Sequence, residues 1–173
     1  TRLQNEIFRF LGIKAGMKFN QSELAKMLKV SPTAIAKALP LLEKDDLIKL
    51  ERGGNINLNF VSFNRDSEKA VFFKRTENLK MLYETGLILF LHNKLPGATI
   101  VLFGSYSKGE DTIKSDIDIA VETLEDKGYD IVRPEKIEGF EKLFNRKIEI
   151  HLFNRKKVDI NIFNNIANGI VLS

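Results

Sequence analysis

Between Val101 and Val121 the chain reads VLFGSYSKGEDTIKSDIDIAV, and the residues in it that could do chemistry are Asp116 and Asp118. They alternate with Ile117 and Ile119 in the period-two pattern of a strand, where residues two apart share a face. The spacing predicts two carboxylates side by side, with the isoleucines turned to a core. Adjacent carboxylates repel and raise each other's pKa unless a cation neutralises them. Hard oxygen ligands paired in this way suit Mg²⁺, which takes one or two carboxylates and completes its shell with water and substrate phosphates. Just upstream, the apolar strand Ile100 to Phe103 runs into Gly104 and Ser105. Glycine lets a backbone approach a phosphate, and a serine hydroxyl donates to a phosphate oxygen. The chemistry predicted is metal-dependent phosphoryl or nucleotidyl transfer.

The same string resembles the signature of the polymerase-β-like nucleotidyltransferase superfamily: a hydrophobic strand, Gly-Ser, a short loop, then Asp-x-Asp on the next strand. It is most similar to the minimal nucleotidyltransferase branch, with Gly104, Ser105, Gly109, Ser115, Asp116, Ile117, Asp118 and Val121 in register. Ser107, Lys108 and Asp111 stand where that branch usually has Ala, Arg and a small residue. Lysine keeps the charge of arginine but loses its bidentate fork. The resemblance implies an NTP substrate, ATP foremost, held by Gly104, Ser105, Lys108, Gly109 and Ser115. It implies Mg²⁺ as cofactor and Asp116 and Asp118 as catalytic metal ligands.

Members of that superfamily need a third carboxylate on a neighbouring strand. Arg146 to Phe153 reads RKIEIHLF, in which Ile148, Ile150 and Leu152 alternate with Glu149 and His151. That is the period of a half-buried strand. Glu149 is its only acidic residue and is the expected third catalytic and metal-binding carboxylate, where the family more often has Asp. His151 shares its face and is expected to look into solvent, with contact to substrate as the alternative. The implied mechanism is two-metal transfer, with Asp116 and Asp118 bridging two Mg²⁺ ions and Glu149 on the nucleophile side.

These residues must be positioned by a chain of 173 residues, room for one medium domain or two small ones. Its hydrophobic and charged fractions, 43% and 29%, are ordinary for a globular protein. There is no cysteine, which excludes disulfides and thiolate metal sites, and the two histidines are far apart, so zinc is not expected. The apolar run Gly86 to Leu91 is far too short to span a bilayer. With no secretory signal read at the N-terminus, the expected compartment is the cytoplasm, with no membrane partner. The net charge of +4 is uneven: residues 1–65 hold 11 Lys and Arg against 6 Asp and Glu, while residues 66–173 hold 16 against 17. A basic excess confined to the first part fits nucleic-acid contact there.

That first part reads as helix, helix, turn, helix, hairpin. Leu3 to Ile13 carries apolar residues at 3, 7, 8, 10 and 11. Asn20 with Glu23 forms a capping box ahead of Leu24, Ala25 and Leu28. Ser31-Pro32 opens a third helix that turns Ile35, Leu39 and Leu42 inward. Pro40 is expected to kink or end it. Leu47 to Glu51 and Ile56 to Val61 read as strands around a tip at Arg52-Gly53-Gly54-Asn55. The order is that of a winged helix-turn-helix, and QSELAKMLKVSPTAIAKALPLLEKDDLIKLE resembles the common regulator pattern. Docked as such domains usually are, Ser31, Thr33, Ala34 and Lys37 would face the major groove of DNA, with Arg52 and Asn55 of the wing on backbone or minor groove.

Phe63 to Lys94 reads as mostly helical, starting near Ser67-Glu68 and ending before Pro96-Gly97. Glu122 to Tyr129 reads as loop and Pro134 to Phe144 as helix. The basic run Arg155-Lys156-Lys157 is expected near the site. Ile162 to Leu172 is similar to the closing segment of minimal nucleotidyltransferases.

The expected fold is α+β: a winged helix-turn-helix at 1–62, then a small nucleotidyltransferase domain at 63–173 with a mixed sheet flanked by helices and a leading helix at 63–95. The expected function is Mg²⁺-dependent transfer of a nucleoside monophosphate from an NTP to a hydroxyl, with DNA bound through the winged helix. Two alternatives compete. One is a transcriptional regulator whose second domain senses nucleotide or is inactive. The other is an antitoxin-like protein that adenylylates a HEPN-type partner. A homodimer is left open.

Overall fold

The computed structural model describes residues 1–52, 59–124 and 128–173. They form two compact units, Thr1–Lys74 and Arg75–Ser173. The expected division at 62/63 coincides nearly with the end of a strand, whereas the compact units part inside a helix. Among the described residues, no helix is long and apolar enough to cross a membrane.

In the first unit, α1 (Arg2–Ile13) is capped by the Thr1 side chain, which forms a capping box with Gln4. Strand β1 (Lys18–Asn20) leads directly into α2 (Gln21–Leu28), where Asn20 and Glu23 form the expected capping box. The bonds are Glu23 N–H to Asn20 Oδ1 at 2.9 Å and Asn20 N–H to Glu23 Oε2 at 2.8 Å. The turn out of α2 passes through Lys29 at φ +55°. Ser31 then caps α3 (Pro32–Lys44), its hydroxyl accepting from Ala34 N–H at 3.2 Å. Strands β2 (Ile48–Arg52) and β3 (Asn59–Phe63) complete a three-stranded antiparallel sheet in the order β1-β3-β2. This is the winged helix-turn-helix architecture. Its core joins Ile7, Leu11, Leu24, Ile35, Leu39 and Val61. Fully burying each such side chain contributes about 1.5–3 kcal/mol.

Three local expectations are corrected here. Pro40 does not end α3, which runs on to Lys44. Proline removes one helical hydrogen bond and costs about 3 kcal/mol or more, but Ala36 and Pro40 both lie on the exposed side, where water can reach the orphaned carbonyl. Ala38, Leu39 and Leu42 are buried around the proline and hold the helix to the core. Phe63, inside the expected leading helix 63–95, ends β3, and the helix starts at Glu68, where Ser67-Glu68 predicts it. The long helix is two, α4 (Glu68–Glu84) and α5 (Leu87–Lys94), broken at Gly86, which takes φ +77°. A left-handed residue cannot continue a right-handed helix.

The second unit is built on a five-stranded mixed sheet, ordered β6-β7-β5-β4-β8. Its strands are β4 (Ile100–Phe103), β5 (Ile117–Glu122), β6 (Tyr129–Val132), β7 (Ile148–Phe153) and β8 (Ile170–Val171). Strands β5 and β7 run parallel, and the other neighbours are antiparallel. A one-and-a-half-turn helix, α6 (Gly104–Lys108), joins β4 to the loop ahead of β5, and α7 (Ile137–Phe144) precedes β7. One sheet face packs Leu102, Ile117, Ile119, Ile148 and Ile150 against Leu82, Leu87 and Leu91 of α4 and α5. On the other face Val101, Ala120 and Phe153 meet Ile162, Phe163 and Ile166 of α8 (Ile160–Ala167). Strand β6 was not anticipated: Tyr129 begins it, and Glu122 ends β5. Both had been read as loop.

Candidate active site

The parallel ladder between β5 and β7 sets Asp118 opposite Glu149, and the antiparallel ladder to β4 sets Phe103 on its other side. Asp118 thus stands mid-sheet, between the end of β4 and the start of β7. At the β4–α6 junction Gly104 takes φ +72°, and a Cβ there would overlap the Asp118 carboxylate. The backbone bend and the absent side chain together make the cradle in which Asp118 rests. A residue with a Cβ would both strain the turn and push the carboxylate away.

Asp118, Glu149 and His151 converge, each offering one ligand atom within 4.8 Å of the others. Ligands held about 2.0–2.2 Å from one ion stand about 3–4 Å apart, so these atoms would draw together slightly around one. His151 is only 5% exposed, against the expectation that it faces solvent. The period-two reading placed it correctly on the face of Glu149. What it could not show is that this face is covered, partly by α8 and partly by aromatic rings. The imidazole packs edge-on against Phe103 at 4.9 Å between centroids and tilted against Tyr129 at 5.7 Å. The Tyr129 hydroxyl lies 2.5 Å from Nδ1. Nε2 lies 3.4 Å from Asp118 Oδ1 and 3.9 Å from Glu149 Oε2, yet is buried without a hydrogen-bond partner. Burial, followed by the charges of Asp118 and Glu149, holds the Tyr129 phenol above its usual range, so it is a neutral hydroxyl at physiological pH.

The chemistry of this donor set fits a divalent cation. Two carboxylate oxygens and an unpartnered imidazole nitrogen surround one point, and the hydrogen bond that would satisfy the nitrogen is not made.

Asp116 is half-buried just ahead of β5 and lies outside this group of three. The hydrogen bond to Glu149, then the charge of Glu149 and, less, that of Asp116, raise the Lys147 ammonium pKa. Lys147 Nζ donates to Glu149 Oε1 at 2.5 Å. Of the expected nucleotide-binding residues, Ser105 is half-buried in α6 and Lys108 is exposed at its end. Gly109 closes α6 in the left-handed region at φ +78°. Ser115 is engaged locally, its Oγ accepting from Thr112 N–H at 3.0 Å. The basic run is not beside the site. Arg155 donates to Glu122 at 2.8 Å, at the end of β5 remote from Asp118.

A second polar cluster went unread in the sequence. Asp111 and Arg146 are 1% and 7% exposed and form an ion pair at 2.7 Å. Asn78 Nδ2 donates to Asp111 Oδ1 at 2.8 Å and to Tyr106 O at 3.0 Å. Arg146 also donates to the carbonyls of Thr112 and, at 3.0 Å, Ser115, and its guanidinium lies over the Tyr106 ring. The loop that delivers Asp116 and Asp118 is therefore clamped from the start of β7. The only sequence signal was that Asp111 departs from the family pattern.

In the first unit, Ser31, Thr33 and Lys37 are exposed and Ala34 half-exposed along the leading turns of α3. Ser31 is committed to its cap. Arg52 ends β2 with backbone partner Asn59. Asn55, with the expected hairpin tip, lies outside the described residues.

Residues 86–170 match the family model described as a nucleotidyltransferase domain. No curated protein matches the chain. Among solved structures, a double mutant of Lactococcus lactis ZitR is 29% identical over 56% of this chain and 63% of that one, with a TM-score of 0.39. A single mutant of the same protein is 28% identical over 55% and 62%, with a TM-score of 0.41. Reduced HlyU from Vibrio cholerae N16961 is 17% identical over 52% and 76%, with a TM-score of 0.31. The chain thus spans 63% of the length of the first of these structures. The family match covers the cradle of Gly104, the Asp118 strand and the Glu149 strand, and residues 86–170 of this chain are a nucleotidyltransferase domain.

Proposed function

We propose that the second unit transfers a nucleoside monophosphate from an NTP, ATP foremost, to a hydroxyl acceptor with the help of a divalent cation. The observation that carries this reading is the seat of Asp118: a carboxylate resting on a side-chain-free turn, with Glu149 and His151 beside it. Asp118 and Glu149 would hold the cation, and one or two carboxylates completed by water and substrate phosphates suit Mg²⁺. When bound, the cation would supply charge stabilisation at the phosphates and at the leaving pyrophosphate. Gly104, Ser105 and Gly109 would let the chain approach the triphosphate, and exposed Lys108 would meet its outer oxygens. Glu149 would accept the proton of the acceptor hydroxyl once Lys147 releases it. Asp116 would complete the carboxylate set by a rotamer change. In this reading residues 1–62 are a DNA-binding module, residues 63–173 the transferase module, and the cytoplasm the compartment.

The test is to incubate the purified chain with labelled NTPs, Mg²⁺ or Mn²⁺, and cell extract, and to follow the label. Cation-dependent labelling of one acceptor is expected; label on a tyrosine of a HEPN-type protein would identify the antitoxin-like role. Labelling that survives Asp118→Asn in a folded chain would overturn the reading. Binding to duplex DNA should become less salt-dependent in Lys37→Gln, by about one unit of log–log slope. An unchanged slope would remove Lys37 from the interface.

One observation favours a second reading. Asp116 stands outside the converging group, as it would in a domain that binds nucleotide as a sensor without turning it over. NTP binding by calorimetry with no label transfer would select that regulator.

A further inference from the structure

His151 is held as a metal ligand would be. An unpaired buried polar atom costs about 1–3 kcal/mol and calls for an explanation. His151 Nε2 is such an atom, and it faces two carboxylate oxygens at 3.4 and 3.9 Å. The ring cannot turn to find another partner. Phe103 and Tyr129 pack on it, and the Tyr129 hydroxyl occupies Nδ1 at 2.5 Å. Donation of the second ring N–H to an outer oxygen is how ligating histidines are oriented, and in the tautomer whose Nδ1–H donates to the Tyr129 hydroxyl the lone pair of Nε2 faces the two carboxylates. Lys147 takes Oε1 of Glu149 and leaves Oε2 toward the imidazole.

This deepens the nucleotidyl-transfer reading of the same site and rests on it. Carboxylates and water are what Mg²⁺ prefers, whereas an imidazole nitrogen moves the balance toward first-row transition ions. We propose that His151 Nε2 joins Asp118 and Glu149 in a mixed nitrogen–oxygen site that takes a transition divalent cation, such as Mn²⁺ or Co²⁺, in preference to Mg²⁺.

The experiment uses the full chain with metal alone and no nucleotide. Mn²⁺ is titrated in and examined by pulsed EPR, which detects a directly bonded imidazole nitrogen. The chain has one other histidine, His92, so the measurement is repeated in His92→Gln, where any nitrogen signal belongs to His151. Expected is a single bound Mn²⁺ with nitrogen coupling in both proteins, retained in roughly a hundredfold excess of Mg²⁺. In His151→Gln, checked for folding by circular dichroism, the coupling should vanish and Mg²⁺ should displace Mn²⁺ at least about tenfold more readily. Mn²⁺ bound without nitrogen coupling, displacement by Mg²⁺ that is the same in both chains, or no uptake of Mn²⁺ would each overturn the proposal. Nucleotide transfer in Mg²⁺ without nitrogen coupling would overturn this site and leave the transfer reading standing. Nitrogen coupling without transfer under any cation would do the reverse.

Discussion

Two polar clusters sit in the second unit, and they are finished to different degrees. Around Asp111 and Arg146, carboxylate, guanidinium, amide and loop carbonyls meet one another, and the ion pair is almost wholly out of water. Around Asp118, Glu149 and His151, two carboxylates face each other and a buried nitrogen lacks a hydrogen bond. The Arg146 guanidinium meets Asp111 Oδ2, so that cluster rigidifies what it touches, whereas His151 Nε2 lies buried between two carboxylates, an arrangement that a cation would complete. The first fixes the loop that carries the aspartates, and the second gathers Asp118 with Glu149 and His151.

The contrast can be broken most strongly at Asp118. Asp118→Asn keeps shape and removes charge, so nucleotide transfer should fall by about three orders of magnitude or more, equivalent to about 4 kcal/mol. The unfolding midpoint should hardly move. A variant that transfers normally would make Asp118 an ordinary surface acid.

Arg146→Met should do the opposite. Leaving Asp111 buried without its guanidinium should cost about 3–5 kcal/mol in denaturant unfolding. Replacing both, as Asp111→Asn with Arg146→Met, should recover part of that loss, because no uncompensated charge remains. Loss confined to activity would mean that the clamp is not structural.

Gly104→Ala tests the cradle. A left-handed backbone with a Cβ costs about 1–2 kcal/mol, and the methyl group would displace the Asp118 carboxylate. Activity should drop further than stability does. Equal stability with full activity would show that the turn has room.

The smallest effect belongs to Tyr129→Phe. One hydrogen bond to His151 is lost, worth about 0.5–1.5 kcal/mol, while the ring packing stays. Thermal unfolding should shift by a few degrees at most. A loss as large as that of Arg146→Met would place Tyr129 in a structural network after all.

The helix caps of the first unit were legible because they are local. Asn20 with Glu23, and Ser31 with Pro32, satisfy backbone groups within three residues, so no distant element can change them. Strand alternation was likewise readable, which put Asp116 with Asp118 and Glu149 with His151, while only the β5–β7 ladder set Asp118 opposite Glu149. By contrast, Gly86 lies inside the segment read as mostly helical, since a glycine in an apolar run does not announce its dihedral angles. Pro40 was given its intrinsic cost without the buried neighbours that oppose it.

From its residues alone, the chain declared a winged helix, a nucleotidyltransferase signature and the carboxylates that could serve it. These follow from periodicity, caps and glycines, all short-range. Only the tertiary structure decided that His151 is buried, that Tyr129 joins the sheet to hold its ring, that Arg155 belongs to the far end of β5, and that Asp111 finds Arg146. Each depends on which strand pairs with which, and on what covers a face. Burial and pairing energies act between residues tens of positions apart, and no spacing along the chain encodes them.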